Sequence, residues 1–187
     1  MTVYRIHVSL MDIEPPIWRR IELSSQSTLD QLHRVIQIAM GWQDYHPHEF
    51  EIDDERYGVP DPDLNEPDVI SDRTVCVSEV LRAPGAEMRY LYDFGDDWVH
   101  TVRLEAVVEE EPGAIYPRVL DGARSGPPED CGGPFGYADL LEALIDPKHE
   151  RFKEMREWAG LKFNAEVFSA QKVNARLRRN RSLAARK

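Results

Sequence analysis

The first two hydrophobic segments of the chain have the period of β-strands. Residues 3–10 and 17–23 alternate or run apolar with many β-branched side chains, and Glu14, Pro15 and Pro16 stand between them. Alternation with a period of two is typical of a strand that buries one face, and proline stiffens the connection between strands. The pattern predicts two strands joined by a short, rigid turn.

The apolar spacing then changes to that of an amphipathic helix. Ser27 and Asp30 have the spacing of a capping box, and Gly41 supplies a residue at which a helix ends. Between them, apolar side chains recur three or four positions apart, which predicts a helix with one buried face. These positions are Leu29, Leu32, Ile36, Ala39 and Met40.

The middle of the chain returns to strand-like segments. Two of them flank Gly95 and Asp96, a pair typical of a two-residue hairpin turn. The predicted elements are a turn that enters a strand over 46–52, a surface loop over 53–73, a short helix over 77–82, and strands over 88–94 and 98–109.

The last third predicts a loop followed by helices. Proline and glycine crowd residues 111–136, which indicates a long ordered loop or no regular structure. Helices are expected over 137–145, 148–159 and 165–180. Strands first and helices last predict an α+β fold. We expect an antiparallel sheet with an N-terminal strand pair and a central hairpin, one helix after the first strands, and a helical C-terminal part packed on the sheet.

Composition places the chain among globular proteins. Its 187 residues are 42% hydrophobic and 30% charged, which fits one domain over residues 1–171 with a basic helix end or tail over residues 172–187. Cys76 and Cys131 form no C-x-x-C pair, so a disulfide scaffold and a cysteine-built zinc site are disfavoured. The sequence shows neither an apolar run of membrane length nor a secretory signal, so we expect a cytoplasmic protein without a membrane partner.

Charge is distributed unevenly along the chain. The net charge is −11, yet residues 172–187 carry seven basic residues and no acid, and residues 1–171 hold 16 basic against 34 acidic residues. A body this acidic repels phosphate backbones, so nucleic acid would bind at the tail. The alternatives are a solvated helix end, a tail that folds onto the acidic body, and a tail that binds a protein partner. The candidate nucleic-acid contacts are Arg176, Arg178, Arg179 and Arg181.

The predicted hairpin indicates a carboxylate–imidazole pair. With a two-residue turn at Gly95 and Asp96, Asp93 and His100 become diagonal neighbours on one face of the sheet. Asp93 would then accept a hydrogen bond from His100 and raise its pKa, as in a catalytic pair. The alternative is a buried structural pair. A loop longer by one residue would shift the register and separate the two side chains.

His46 and His48 have the spacing of a metal-binding pair. Two residues apart on a strand, both imidazoles would point to the same face. Two histidines completed by a carboxylate are a common ligand set for a divalent metal ion. The candidates to complete the set are the hairpin residues Asp93, Asp96, Asp97 and His100. The alternative is a turn fixed by Pro47, in which both histidines make ordinary hydrogen bonds.

Residues 127–136 form the most unusual stretch of the chain. Adjacent prolines and glycines specify one tortuous backbone path, which presents Glu129, Asp130 and Cys131 at its bend. Neighbouring acids oppose formation of a thiolate, so Cys131 is a poor candidate nucleophile. Glu129 and Asp130 are candidate catalytic residues, as general bases or metal ligands, or they are helix N-caps. The alternative for the whole stretch is a structural clasp across the sheet.

Five segments occur in a distinctive order: PIWRR over 16–20, AMGW over 39–42, HPHEF over 46–50, YDFGDDWVH over 92–100 and PPEDCGG over 127–133. Together they resemble the plasmid pRiA4b open-reading-frame-three-like family, which includes TnpR-like passenger proteins of insertion elements. The resemblance spans roughly residues 3–170. It implies a compact α+β domain linked to plasmids and mobile elements, and it implies no particular reaction.

Two classes of function follow from these features. The first is an accessory protein of mobile-element type that binds nucleic acid or a protein partner. The second is a hydrolase or nuclease with a divalent metal ion as cofactor, built on the histidine turn and the acidic hairpin. Convergence of these side chains around one pocket favours the enzyme, whereas an exposed cationic or aromatic surface alone favours the binding protein.

Overall fold

The computed structural model describes residues 1–60 and 68–180. The strands are β1 (Thr2–Leu10), β2 (Trp18–Ser24), β3 (His48–Ile52), β4 (Glu55–Gly58), β5 (Val69–Ser71), β6 (Glu87–Tyr92), β7 (Trp98–Glu109) and β8 (Arg118–Ala123). They form one eight-stranded sheet in the order β5-β4-β3-β6-β7-β1-β2-β8. Neighbouring strands are antiparallel except β4 and β5, so the predicted α+β class with an antiparallel sheet is confirmed.

One helix follows the first two strands and a short one precedes β6, while the last three helices follow all the strands, as predicted. They are α1 (Leu29–Met40), α2 (Val77–Val80), α3 (Gly133–Ile145), α4 (Phe152–Ala159) and α5 (Ala170–Arg179). Across residues 1–60 and 68–180, every helix is too short or too polar to cross a membrane.

The first turn of α1 is capped one residue later than the sequence pattern predicts. Thr28 accepts a hydrogen bond from the backbone N–H of Gln31, and the Gln31 side chain accepts one from the backbone N–H of Thr28. This reciprocal pair is the capping box, and it replaces the predicted pair of Ser27 and Asp30. The helix ends at Gly41 in the left-handed conformation, as predicted.

The two faces of the sheet have different chemistry. One face carries apolar and aromatic side chains such as Val8, Phe50 and Tyr90, and α1 covers it. The opposite face carries ion pairs, among them Arg5 with Glu22 at 2.8 Å. The core therefore lies between this face of the sheet and α1. A candidate residue on this face, such as His100, is buried.

Three short strands lie where the sequence predicts loops. β4 and β5 fall within the predicted loop over 53–73, and β8 falls within the proline- and glycine-rich residues 111–136. All three belong to the outer part of the sheet, where backbone hydrogen bonds to a neighbouring strand are sufficient and no long apolar pattern is needed. The loop predictions are wrong for this reason.

The basic C-terminal segment begins inside a packed helix. α5 buries Val173 and Leu177, and the Asn174 side chain bonds both the N–H (2.7 Å) and the carbonyl (2.8 Å) of Val119 on β8. The positions of Arg176, Arg178 and Arg179 fall on this helix, while Arg181 lies outside the described residues.

Candidate metal centre

The loop of the β6–β7 hairpin is longer than predicted. Tyr92 pairs with Trp98, so the loop holds five residues rather than two. Asp93 adopts a left-handed φ of 59°, and its Oδ1 accepts hydrogen bonds from the backbone N–H groups of Gly95 (2.9 Å) and Asp96 (3.3 Å). A short polar side chain tolerates this conformation because it bonds its own backbone. An aspartate turn thus replaces the predicted glycine turn.

The longer loop separates His100 from Asp93, and the predicted pair is wrong. His100 lies opposite Tyr90, and its Nδ1 bonds the carbonyl oxygens of Trp98 (3.0 Å) and Tyr90 (3.3 Å). Burial lowers the pKa of His100 to about 4, whereas the predicted ion pair would have raised it. His100 is a neutral imidazole in the core.

Three of the predicted site residues converge beside the hairpin. His46 Nε2 lies 2.9 Å from Asp130 Oδ1 and 3.6 Å from Asp93 Oδ2, and one ligand atom from each residue lies within 4.8 Å of the others. Donor atoms that each bind one zinc ion at about 2.1 Å lie about 3.0–3.4 Å apart. The two distances from the His46 nitrogen, 2.9 Å and 3.6 Å, lie on either side of this range, so small side-chain shifts would let the three residues share a divalent ion.

The orientation of His46 supports the same assignment. Its Nε2 is buried and has no hydrogen-bond partner within the described part of the chain, although two carboxylate oxygens are close. Asp93 Oδ2, at 3.6 Å, is beyond hydrogen-bond distance, and Asp130 Oδ1, at 2.9 Å, does not lie in the direction that a hydrogen bond requires. A buried ring nitrogen that faces two carboxylates and bonds neither can serve as a ligand to a metal ion.

Strand pairing brings His46 beside Asp93. β3 runs antiparallel to β6 and pairs His48 with Tyr92, so the residues just before β3 lie next to those just after β6. The backbone N–H of Asp93 donates to the carbonyl of Pro47 at 2.9 Å. With Asp93 Oδ1 committed to the turn, Oδ2 is left to face His46.

A glycine clamp brings Asp130 to the same place. Asp96 Oδ2 accepts a hydrogen bond from the backbone N–H of Gly132 at 3.0 Å. Gly133 approaches so closely that a Cβ there would overlap the carbonyl oxygen of Asp96. These two contacts hold the 129–133 loop against the hairpin, which places Asp130 opposite His46.

Glu129 fixes the other side of this loop. Its Oε1 accepts hydrogen bonds from the backbone N–H of Gln43 at 2.7 Å and from the hydroxyl of Tyr92 at 3.1 Å. Burial and the Glu129 carboxylate raise the pKa of Tyr92, so the phenol remains a donor. The structure therefore uses Glu129 to anchor the loop and Asp130 to face His46.

His48 points to a different carboxylate. β3 begins at His48, whereas His46 precedes the strand in a turn, so the two rings do not converge as the strand spacing predicts. His48 Nε2 lies 2.9 Å from Oδ2 of the fully buried Asp72. Its ring stacks on His33 with 3.4 Å between the ring centroids.

The remaining candidates have structural contacts. Asp96 holds Gly132, and Asp97 is exposed, with its backbone N–H donating to the carbonyl of Asp93 at 2.7 Å. Burial raises the pKa of Cys131 to about 12, with a contribution from Asp96, so its thiol stays protonated, as the neighbouring acids predict.

A cavity of about 680 Å³ opens beside His46. It reaches the stacked pair of His33 and His48, and three arginines lie on its wall: Arg34, Arg56 and Arg73. The volume is that of a small-molecule site.

Sequence reasoning missed the partners of the stacked histidines. His33 Nε2 bonds Asp44 at 2.8 Å, and its Nδ1 bonds the Tyr90 hydroxyl at 2.8 Å. A signal existed for His33, because it stands four residues after Leu29 on the apolar face of α1, where a histidine needs polar partners. No sequence signal pairs Asp72 with His48, because Asp72 stands in an irregular segment far from His48 in the sequence.

Comparison with known proteins agrees with the resemblance in the motifs. The family described as "Plasmid pRiA4b ORF-3-like protein" matches residues 2–172. The uncharacterized protein y4hQ of Sinorhizobium fredii is 38% identical over 159 residues, which cover 85% of this chain and 81% of that protein. The crystal structure of MM3350, a protein of unknown function from Methanosarcina mazei Go1, has a TM-score of 0.84 and 35% identity, covering 91% of this chain and 97% of the other. Because the family matches residues 2–172, nearly the whole chain, the protein belongs to the plasmid pRiA4b ORF-3-like family.

Proposed function

We propose that the protein is a metal-dependent hydrolase that holds one divalent ion between His46, Asp93 and Asp130. The observation that carries the proposal is the unbonded His46 Nε2, which faces one oxygen of each aspartate. One imidazole and two carboxylates suit zinc or manganese. Three protein ligands leave a position for water, as in catalytic rather than structural sites, and a bound ion makes that water acidic enough to yield hydroxide near neutral pH.

Asp93 and Asp130 have different surroundings and therefore different roles in the proposed centre. The Asp93 side chain is 8% exposed and is held by the turn, so it fixes the ion, while the Asp130 side chain is 66% exposed and lies on the solvent side. The adjoining cavity gives a small substrate a place beside His46. We favour a small ester or phosphoester over a polynucleotide, because the acidic body repels a long phosphate backbone.

Metal titration tests this function. Zinc or manganese is expected to bind the wild-type protein in calorimetry, and His46→Ala should lower the affinity by more than the about 10–100-fold that loss of an outer-shell partner costs. Asp97→Asn removes a neighbouring exposed carboxylate outside the centre, and His149→Ala removes a histidine elsewhere, so both should bind as the wild type does. The loaded protein should hydrolyse p-nitrophenyl acetate or bis(p-nitrophenyl) phosphate, and EDTA should stop the reaction.

Two results would refute the hydrolase. One is a wild-type protein that binds neither ion, and the other is tight binding with no hydrolysis of either ester. Equal loss of affinity in His46→Ala and His149→Ala would show that the ion does not bind at the proposed centre.

A second function, nucleic-acid binding by an accessory protein of mobile-element type, is favoured by α5. Arg176, Arg178 and Arg179 are exposed in its last turn, and no ion pair joins them to another part of the described chain. Cations at the C-terminal end of a helix also interact favourably with its dipole, so these arginines have a structural role without any partner. A protein partner with an acidic surface is the alternative occupant.

Salt dependence tests the nucleic-acid function. Four phosphate contacts, with Arg181 as the fourth, are expected to give a log–log slope of affinity against salt of about −3.6 on duplex DNA. Arg178→Ala with Arg179→Ala should reduce the slope by about half, while Arg103→Ala, on the polar face of the sheet, should leave it unchanged. A truncation has to begin after the buried Leu177 to leave the core intact. Failure of the full chain to shift DNA at low salt would rule this function out.

The cytoplasm is the location we propose for either function. Cys76 and Cys131 are free thiols in the structure, and a reducing compartment keeps thiols in that state. Extraction of the protein with both thiols oxidised from its native cell would contradict this location.

A further inference from the structure

A second cavity lies away from the metal centre and has a different chemistry. This basic groove, of about 360 Å³, is bounded by the C-terminal end of α1, residues 125–128, residues 159–169 and the first turns of α5. Most of its lining is apolar, including Met40, Phe163 and Phe168. Within the described residues, its charged lining is entirely basic, which is unusual for a chain with a net charge of −11.

Arg19 is the most unusual residue of the groove. It is 1% exposed, and its three hydrogen bonds go to backbone carbonyls: Nε to Ala39 (2.8 Å), and Nη1 to Trp18 (2.7 Å) and Ala123 (2.8 Å). Its guanidinium also lies 4.2 Å from the centre of the Phe168 ring. No described carboxylate pairs with it, and its Nη2 donates no hydrogen bond to a described residue. Buried cations in proteins are normally paired with an acidic group. Arg19 is therefore unusual, because it has no counter-ion among the described residues.

The charge of Arg19 persists at neutral pH. Burial lowers the pKa of its guanidinium to about 10, which still leaves it protonated in the cell. Only its backbone-carbonyl partners and the Phe168 ring stabilise this charge. A negative group entering the groove would supply the missing partner.

Two exposed cations of α5 complete the positive lining. Lys172 and Arg176 stand four residues apart, so they project from the same side of the helix, and both line the groove. Ser169, the N-cap of α5, also lines it, and the N-terminal end of a helix adds partial positive charge.

We propose that the basic groove binds an amphipathic anion, a small molecule with one carboxylate or phosphate group on an apolar body. The anionic group would meet Nη2 of Arg19 and the side chains of Lys172 and Arg176. The apolar body would lie against Met40, Phe163 and Phe168. This site is separate from the metal centre and does not depend on the proposed hydrolase.

Fluorescence of 8-anilinonaphthalene-1-sulfonate, an anion on an aromatic body, tests the proposal with the full chain. The wild type is expected to bind the probe, and Lys172→Ala with Arg176→Ala should weaken binding at least tenfold. Arg178→Ala with Arg179→Ala is the matched control, because it removes the same charge from the same helix outside the groove. Thermal melts of both double variants should coincide, which separates binding from folding.

Competition then identifies the anionic group. Decanoate or phenyl phosphate is expected to displace the probe, and the stronger competitor distinguishes a carboxylate from a phosphate ligand. Inorganic phosphate should displace it poorly, because it has no apolar body. Absence of probe binding, equal loss in the two double variants, or displacement by inorganic phosphate as effective as by the amphipathic anions would each overturn the proposal.

Discussion

Gly133→Ala is expected to destabilise the fold and to abolish metal binding together. A Cβ at Gly133 would overlap the backbone carbonyl of Asp96, and the φ of 67° disfavours any side chain. The left-handed conformation alone costs about 1–2 kcal/mol, and overpacking adds about 1–3 kcal/mol. Since the contact with Asp96 holds the 129–133 loop against the hairpin, relief of the overlap moves Asp130 away from His46.

Gly85 provides the matched control for this prediction. Its φ is 93°, and a Cβ there would meet nothing within 4 Å, so Gly85→Ala measures the conformational cost without the overlap. Denaturant unfolding should show a larger loss for Gly133→Ala, and calorimetry with zinc or manganese should show loss of binding in Gly133→Ala alone. Unchanged metal affinity in a folded Gly133→Ala protein would contradict the clamp.

The fold was largely predictable because its central elements follow simple periods. The helix of residues 29–40 and the paired strands at the N-terminus each bury one face, and that face is visible in the sequence. The outer strands β4, β5 and β8 were not predictable by the same means, because short strands at or near a sheet edge are held mainly by backbone hydrogen bonds.

Local sequence is insufficient to predict the strand register of the β6–β7 hairpin. A two-residue turn and a five-residue loop both fit the residues around Gly95, and their registers differ by one position. Asp93 decides between them because its side chain bonds the backbone N–H groups of Gly95 and Asp96 and stabilises the longer loop. The one-residue difference moves His100 from the proposed catalytic pair into the core.

The candidate centre combines residues from three separate segments of the chain. The sequence predicts His46 as a metal ligand and Asp93 as a metal ligand or the partner of His100. It predicts Asp130 as a general base, metal ligand or helix N-cap. Their convergence depends on contacts distant in sequence, chiefly the 3.0 Å hydrogen bond from Gly132 to Asp96, which a single sequence does not reveal. The same loop path determines that Glu129 bonds Gln43 and Tyr92 while Asp130 faces His46.

Stability is expected to depend on pH through His100. Its pKa is about 4 in the folded protein and takes its ordinary value of 6.5 in the unfolded chain. Between these values the unfolded state binds the extra proton, so the free energy of unfolding rises as the pH increases from 4 to 6.5 and falls as the pH decreases through that range. A pKa difference of this size corresponds to about 3 kcal/mol for a fully buried group.

Comparison of variants isolates this contribution from that of the other titrating groups. His100→Asn keeps an N–H donor near the carbonyls of Trp98 and Tyr90 but cannot take up the proton, so its stability should vary less with pH than that of the wild type. His149→Asn removes a histidine from outside the core and should retain the wild-type profile. Urea unfolding between pH 4 and 7 measures all three proteins. Parallel profiles for the wild type and His100→Asn would mean that His100 takes up its proton in the folded core, and the register that buries it beside Trp42 and Tyr90 would then be incorrect.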